Sequence, residues 1–148
     1  MRDRLDNLIA DLARLDGAAE VGALDPVNAQ KLAWQEFGTS RAPARPTLTV
    51  TTDAATPAIM RSIRRQVGEV MDGKGRGTTG QEIVGGVARD LAEQVRDAID
   101  SDTPPELAES TKAARRRAGR DTRTLVDTGD MLRSIDVRTS ADPRAFED

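Results

Sequence analysis

Hydrophobic residues recur at three- and four-residue spacing near the start of the chain, as in an amphipathic helix. These apolar positions are Leu5, Leu8, Ile9, Leu12 and Leu15. The pattern predicts an N-terminal helix over residues 2–16. A second helix is predicted to begin at Pro26, with Asp25 as its N-cap, and to end at Phe37, because Gly38 is typical of the position after a helix.

The middle of the chain has the same helical periodicity. A helix is predicted to start at Thr56-Pro57, and the longest helix is predicted from Gln81 to Ile99. Between them, residues 73–80 are rich in glycine and are predicted to form a mobile, basic loop. A fifth, largely exposed helix is predicted from Glu106 to about Ala118, since Leu107 is its one large apolar residue.

Three stretches have the pattern of short strands. They are Ala19–Leu24, the alternating β-branched run Thr47–Thr52, and Ile135–Thr139. Together these elements predict an α+β fold, in which a small antiparallel sheet packs with four to five helices, including one long central helix. We expect a single domain over residues 1–140, followed by a flexible tail over residues 141–148.

The composition favours a protein that assembles with others over an enzyme. The 148 residues carry a net charge of −3 and include two Phe, one Trp and no Tyr, so a partner is expected to complete the stability. The chain has no Cys and no His, which removes thiol chemistry, the commonest general base and the commonest transition-metal ligand. We therefore expect no catalytic, metal or cofactor site. No apolar run approaches membrane-spanning length, and synthesis in the cytoplasm is expected.

The segment Gly75–Gly80 formally matches the glycine pattern G-x-G-x-x-G. A dinucleotide site needs a strand before this loop and a helix after it, so that the helix N-terminus faces the pyrophosphate. Here a charged helix is predicted before the loop. The segment is therefore interpreted as a loop between helices.

A basic segment covers residues 112–123. Its cations are Lys112, Arg115, Arg116, Arg117, Arg120 and Arg123. Such a cluster can bind phosphates, but no aromatic residue lies nearby to stack on bases. A solvated helix face or a surface for acidic partners is favoured over a nucleic-acid site by roughly two to one.

Two features of the second helix and its exit suggest packing and assembly. Trp34 and Phe37 lie three residues apart on one helical face, and we expect them to anchor the helix onto the sheet. The segment that follows Gly38 is stiffened by Pro43 and Pro46 and carries two arginines, one of them Arg45. A stiff, exposed, basic loop suits a subunit interface.

Four motifs occur in a fixed order along the chain. They are Gln35–Thr39, Pro43–Pro46, Pro104-Pro105 with Ser110-Thr111, and Leu125–Ile135. In content and order they resemble the tail-completion, or virion-morphogenesis, family of tailed bacteriophages. The resemblance spans about residues 20–140. Thr47 departs from the family pattern, which has Phe at that position.

The resemblance implies a non-catalytic structural protein of the virion that acts in tail completion or head–tail joining at the neck. It further implies a homo-oligomeric ring, with a hexamer as the commonest expectation. The implied partners are the connector, the tail terminator or the tail tube, with non-specific contact to phage DNA and none to a membrane. A small DNA-binding or regulatory protein that uses residues 112–123 is the alternative.

Two groups of residues are predicted to matter for this function. The residues expected at a subunit interface are Arg41, Pro43, Arg45, Pro46, Lys74, Arg76, Arg115, Arg116 and Arg117. The residues expected to shape the motifs are Trp34, Phe37, Gly38, Asp127, Thr128 and Gly129. Asp127 is expected to cap the short helix that contains Met131.

Overall fold

The computed structural model describes residues 2–102, 104–126 and 129–146. The elements in chain order are α1 (Arg2–Leu12), β1 (Ala18–Ala23), α2 (Pro26–Phe37), α3 (Thr47–Met71), α4 (Gly80–Asp100), α5 (Glu109–Arg117), α6 (Asp130–Ser134) and β2 (Ile135–Ser140). The two strands pair in one antiparallel sheet. The α+β class and the long central helix are confirmed, and the described residues contain six helices rather than four to five.

Local signals place the second helix correctly. Asp25 is the N-cap of α2, and its Oδ1 accepts the backbone N–H of Asn28 at 2.9 Å. This bond lowers the pKa of the Asp25 carboxyl. Gly38 follows the last helical residue with φ of +75°, a conformation that L-residues avoid. Both ends of α2 are therefore fixed by residues next to the helix in sequence.

The start of α4 is fixed by a capping box that the sequence contains at Thr79 and Glu82. The Thr79 hydroxyl accepts the Glu82 N–H at 3.2 Å, and the Glu82 carboxylate accepts the Thr79 N–H at 2.8 Å. These bonds lower the pKa of Glu82. The helix matches the predicted span to within one residue at each end.

The predicted strand over Thr47–Thr52 is wrong. These residues form the first turns of α3, and Pro57, predicted to lie at a helix start, is inside that helix. As a result α3, with 25 residues, is longer than α4, which was predicted to be the longest helix. The β-branched side chains favour a strand, but the backbone N–H groups of the first turn are satisfied by a distant side chain, Glu36. A tertiary contact thus overrides the local preference.

The first helix is shorter than predicted. It ends at Leu12, and the next residues form a tighter turn in which Leu15 N–H donates to the carbonyl of Leu12 at 3.1 Å. The chain then runs against the start of α4, where Gly80 N–H donates to the Arg14 carbonyl at 2.7 Å. A Cβ on Gly80 would lie 2.0 Å from the Leu15 carbonyl oxygen, so only glycine permits this approach.

The chain divides into two compact units. The first comprises residues 1–20, 55–90 and 137–148. Its buried apolar residues come from α3 and α4, and they are Ala55, Val70, Ile83, Val87 and Ala88. In the same unit Arg138 pairs with Glu20 across the sheet and its guanidinium carbon lies 5.4 Å from the centre of the Phe146 ring.

The second unit comprises residues 21–54 and 91–136. Its larger buried apolar residues are Leu32, Val95, Ile99, Leu125, Val126, Met131 and Ile135. Arg96 donates to the carbonyl of Ile135, which joins α4 to the start of β2. No helix in the described part of the chain is long and apolar enough to cross a membrane. The single domain over residues 1–140 and the flexible tail stay predictions.

Candidate assembly surface

The motif Gln35–Thr39 contains a buried carboxylate that caps the long helix α3. Glu36 is buried, and its two carboxylate oxygens accept the N–H groups of Leu48 at 3.0 Å and Thr49 at 2.7 Å. The first N–H groups of a helix have no partner within the helix and carry partial positive charge. The Glu36 side chain therefore supplies both the missing acceptors and a complementary charge.

The turn after Glu36 depends on glycine. A Cβ on Gly38 would lie 2.7 Å from the backbone nitrogen of Ala44, and its φ of +75° is itself strained for any other residue. Just beyond it, Thr39 and Ala42 form an isolated antiparallel bridge, with a Thr39 N–H to Ala42 carbonyl distance of 2.9 Å. The chain therefore reverses direction after α2 and continues to Arg45.

Arg45 was predicted to lie on an exposed loop at a subunit interface, and the predicted exposure of its side chain is wrong. Its backbone N–H donates to the Gln35 carbonyl at 2.6 Å, and its side chain is held inside the subunit. The residue is 5% exposed, and its Nε donates to the carbonyl of Pro105 at 2.9 Å. Burial and the nearby charge of Arg115 lower the pKa of the Arg45 guanidinium. Arg45 thus links the second motif to the third within one chain.

The other residues of the predicted interface segments are exposed. In the proline segment these are Arg41, Pro43 and Pro46. In the glycine-rich loop Lys74 and Arg76 are exposed, and the Lys74 ammonium lies 3.7 Å from the Asp72 carboxylate. An exposed pair at this distance contributes little to stability. These five side chains are therefore accessible to a partner.

Most of the basic segment is bound within the subunit. Arg115 Nη1 donates to three backbone carbonyls, those of Asp121 at 3.3 Å, Arg123 at 2.9 Å and Val126 at 3.3 Å. Lys112 pairs with Glu106 at 2.7 Å, and this bond raises the pKa of the lysine. Arg115 therefore holds the loop that leads to the fourth motif while staying partly exposed, and its place at a subunit interface stays a prediction.

Arg123 is the centre of an ion-pair network. It pairs with Asp121 at 2.6 Å and also with Asp100. The hydrogen bonds from Arg123 lower the pKa of Asp121 to about 2, and the same bonds raise the pKa of Arg123. Beside this network, Asp102 accepts the backbone N–H of Thr124 at 2.7 Å and its hydroxyl at 2.6 Å. Carboxylates paired with Arg123 therefore organise this loop, although the sequence alone indicates only a basic cluster.

Two arginines of the segment, Arg116 and Arg117, are exposed on α5. Arg116 lies 3.9 Å from Glu109, at the limit of an ion pair. No residue of α5 is buried, so the prediction of a surface helix is confirmed. The positive charge that α5 exposes to a partner is therefore smaller than the sequence indicates.

Trp34 and Phe37 do not anchor α2 onto the sheet, and that prediction is wrong. Trp34 is 52% exposed and Phe37 is 80% exposed, whereas Leu32 and Glu36 are the buried residues of the helix. Periodicity correctly places the two aromatic residues on one face, but that face is the outer one. The chain's single Trp and one of its two Phe are therefore available for contact.

A cleft of about 300 Å³ opens beside Trp34 in the second unit, between α2 and the segment that carries the fourth motif. Its lining includes Lys31, Arg115, Leu125 and Met131. Gly129 occupies the N-cap position of α6 with φ of +77° and no side-chain cap. The cap predicted at Asp127, and the role predicted for Thr128, lie outside the described residues.

Sequence reasoning missed the two acidic side chains that matter most for the second unit, Glu36 and Asp102. Both accept backbone N–H groups of residues that are distant in sequence. The only signal was the presence of Glu36 within a recognised motif. Within the described ranges, no group of three or more acidic side chains is placed to hold a metal ion.

This chain matches no protein-family model, no curated protein and no solved structure. The resemblance to the tail-completion family therefore depends on the four motifs and on their order in the sequence.

Proposed function

We propose that this chain is a non-catalytic structural subunit of a tailed-phage virion. It acts in tail completion or head–tail joining, by assembling into a ring at the neck. Its partners are the connector, the tail terminator or the tail tube, and a hexamer is the expected ring. DNA in the channel is contacted without sequence specificity. Such a subunit needs rigid elements that present surface side chains, and it needs no reactive centre.

One observation carries the proposal, namely that all four motif segments belong to the same compact unit. Hydrogen bonds join the first three, and Arg115 of α5, the helix that contains Ser110-Thr111, bonds to the fourth. The Gln35 carbonyl accepts the backbone N–H of Arg45, and the Arg45 side chain donates to the Pro105 carbonyl. Arg115 holds the Val126 carbonyl at the start of the fourth motif. Chance matches scattered along a sequence would have no reason to form one connected framework.

The surface of that framework supports an assembly role. Trp34 and Phe37 are exposed, and aromatic residues of this kind are enriched at the centres of protein interfaces. Arg41 is exposed nearby in sequence and offers a planar donor for carboxylates. The framework thus holds contact residues on a rigid support.

The DNA-binding alternative receives less support from the same contacts. Lys112, Arg115 and Arg123 are engaged with carboxylates or carbonyls of their own subunit. Fewer free cations mean fewer released counterions and a shallower salt dependence of DNA affinity. A steep dependence, measured on duplex DNA between low and moderate salt, would favour the alternative.

A genetic experiment tests the proposed function. A phage with an early stop codon in this gene should produce filled heads and unjoined tails, visible by electron microscopy, and infectivity should return when the wild-type gene is supplied in trans. Normal yields of infectious particles without the gene product would contradict the proposal.

A further inference from the structure

Two helices of the chain each expose an apolar face, and they belong to different compact units. On α1, Ile9 and Leu12 are exposed and lie three residues apart, so they share a face. On α2, the exposed apolar residues are Val27, Trp34 and Phe37. Spacings of seven and three residues place these three on one side of the helix. Each helix therefore exposes large hydrophobic side chains on one face.

Each of these two faces carries one charged residue, and the two charges have opposite signs. Asp6 is exposed and lies three residues before Ile9 on α1. Lys31 is exposed on α2, four residues after Val27 and three before Trp34. In the described part of the chain neither residue forms an ion pair, and the Lys31 ammonium donates only to the Asn28 side chain at 3.3 Å. Both side chains are exposed and can therefore reach a neighbouring molecule.

We infer that the α1 face of one copy packs against the α2 face of the next copy, with Asp6 of the first beside Lys31 of the second. The two faces match in apolar character and complement each other in charge. The aromatic residues supply most of the contact energy, and the charge pair sets register and disfavours the wrong pairing.

The contact joins two different surfaces, so it is heterologous. Repeating a heterologous contact closes a ring when the rotation between neighbours permits, and otherwise gives an open filament. A symmetrical contact between two α2 faces would instead stop at a dimer. The inference rests on the ring assembly proposed above, and it names the surfaces by which copies meet.

Charge reversal on the full-length chain tests this contact. The variants are Asp6→Lys and Lys31→Glu, both at exposed positions, and self-association is measured by sedimentation velocity over a concentration series. Wild type should associate reversibly. Each variant alone should associate roughly tenfold more weakly or worse, because every interface then contains two like charges.

Mixing the two variants is the decisive step. In an alternating assembly the new lysine of the Asp6→Lys chain meets the new glutamate of the Lys31→Glu chain. At the following interface the unchanged Asp6 of one variant meets the unchanged Lys31 of the other, so every interface regains an opposite pair. The equimolar mixture should therefore associate about as strongly as wild type.

A matched control separates this effect from a general change in surface charge. Glu93→Lys, an exposed reversal on α4, should change neither the association nor its salt dependence. Far-UV circular dichroism checks that every variant is folded.

Three results would overturn the inference. They are a wild-type protein that stays monomeric throughout the series, a mixture that associates no better than its components, and an Asp6→Lys variant that associates as wild type does. The third result would point to a symmetrical α2 contact. Because these measurements use purified protein, their failure leaves the place of the chain in the virion to be decided separately by particle experiments.

Discussion

The Glu36 carboxylate accepts the backbone N–H of Thr49 at 2.7 Å, and with the neighbouring N–H of Leu48 this contact begins the longest helix of the protein. A residue of α2 thus determines where α3 starts. Glu36 is buried and the two hydrogen bonds are part-buried, so solvent would replace this acceptor only poorly if the side chain were lost.

Replacing Glu36 by alanine is expected to lower the free energy of unfolding by about 2–3 kcal/mol, because two N–H groups at a part-buried site lose their acceptor. Glu36→Gln keeps an acceptor oxygen but loses the charge, and should cost about 1 kcal/mol. Urea denaturation monitored by circular dichroism measures both values. The exposed Glu93→Gln is the control and should stay within about 0.5 kcal/mol of wild type. Equal, small effects at the two positions would show that Glu36 does not cap α3.

Gly38→Ala is expected to destabilise the protein by about 1–3 kcal/mol, since the position has positive φ and the added Cβ would lie 2.7 Å from the Ala44 nitrogen. Gly86→Ala is the matched control. Gly86 is in α4, its φ is not positive, and nothing lies within 4 Å of an added Cβ. There alanine should stabilise by up to about 1 kcal/mol. A melting temperature that falls for Gly38→Ala and rises for Gly86→Ala would support the turn at Gly38. An unchanged melting temperature for Gly38→Ala would contradict it.

Arg115→Met is expected to lower the free energy of unfolding by about 2–3 kcal/mol, because three backbone carbonyls lose a charged donor. Arg117→Met, on the exposed side of α5, should change it by less than about 0.5 kcal/mol. Chemical denaturation of the two variants side by side gives the comparison. If both cost the same small amount, Arg115 is a surface cation and the segment is free to bind phosphates.

The pH dependence of stability should contain a contribution from Asp121. Its pKa is about 2 in the folded chain against 3.8 for a free aspartate. Since the folded pKa is the lower one, the carboxylate stabilises the fold above about pH 4, and that contribution is lost as the pH falls toward about 2. Urea midpoints measured across this range should fall less steeply for Asp121→Asn. Identical slopes for the variant and wild type would contradict the assignment.

Elements whose ends are fixed by adjacent residues could be predicted from sequence. The α2 helix was placed correctly because Asp25 and Gly38 lie directly at its ends, and α4 because its apolar stripe is long. The start of α3 could not be predicted, because the acceptor for the Leu48 and Thr49 N–H groups is Glu36, twelve and thirteen residues earlier. Strand propensity then gave the wrong answer for Thr47–Thr52.

The candidate surface was only partly predictable for a similar reason. Helical spacing shows that Trp34 and Phe37 share a face, but it does not show which face of α2 is buried. The buried face of α2 is instead the one that carries Leu32 and the Glu36 side chain. In the same way Arg45 counts as a surface cation by residue type, and only the folded chain brings it to the Pro105 carbonyl.

Cross-linking mass spectrometry of purified phage particles that carry this chain tests the central claim most directly. Lysines such as Lys31 and Lys74 provide exposed positions for the reagent. The account predicts cross-links from this chain to connector, tail-terminator or tail-tube subunits, in addition to links between copies of the chain. Complete, infectious particles that lack the chain would contradict the structural role and favour the DNA-binding alternative.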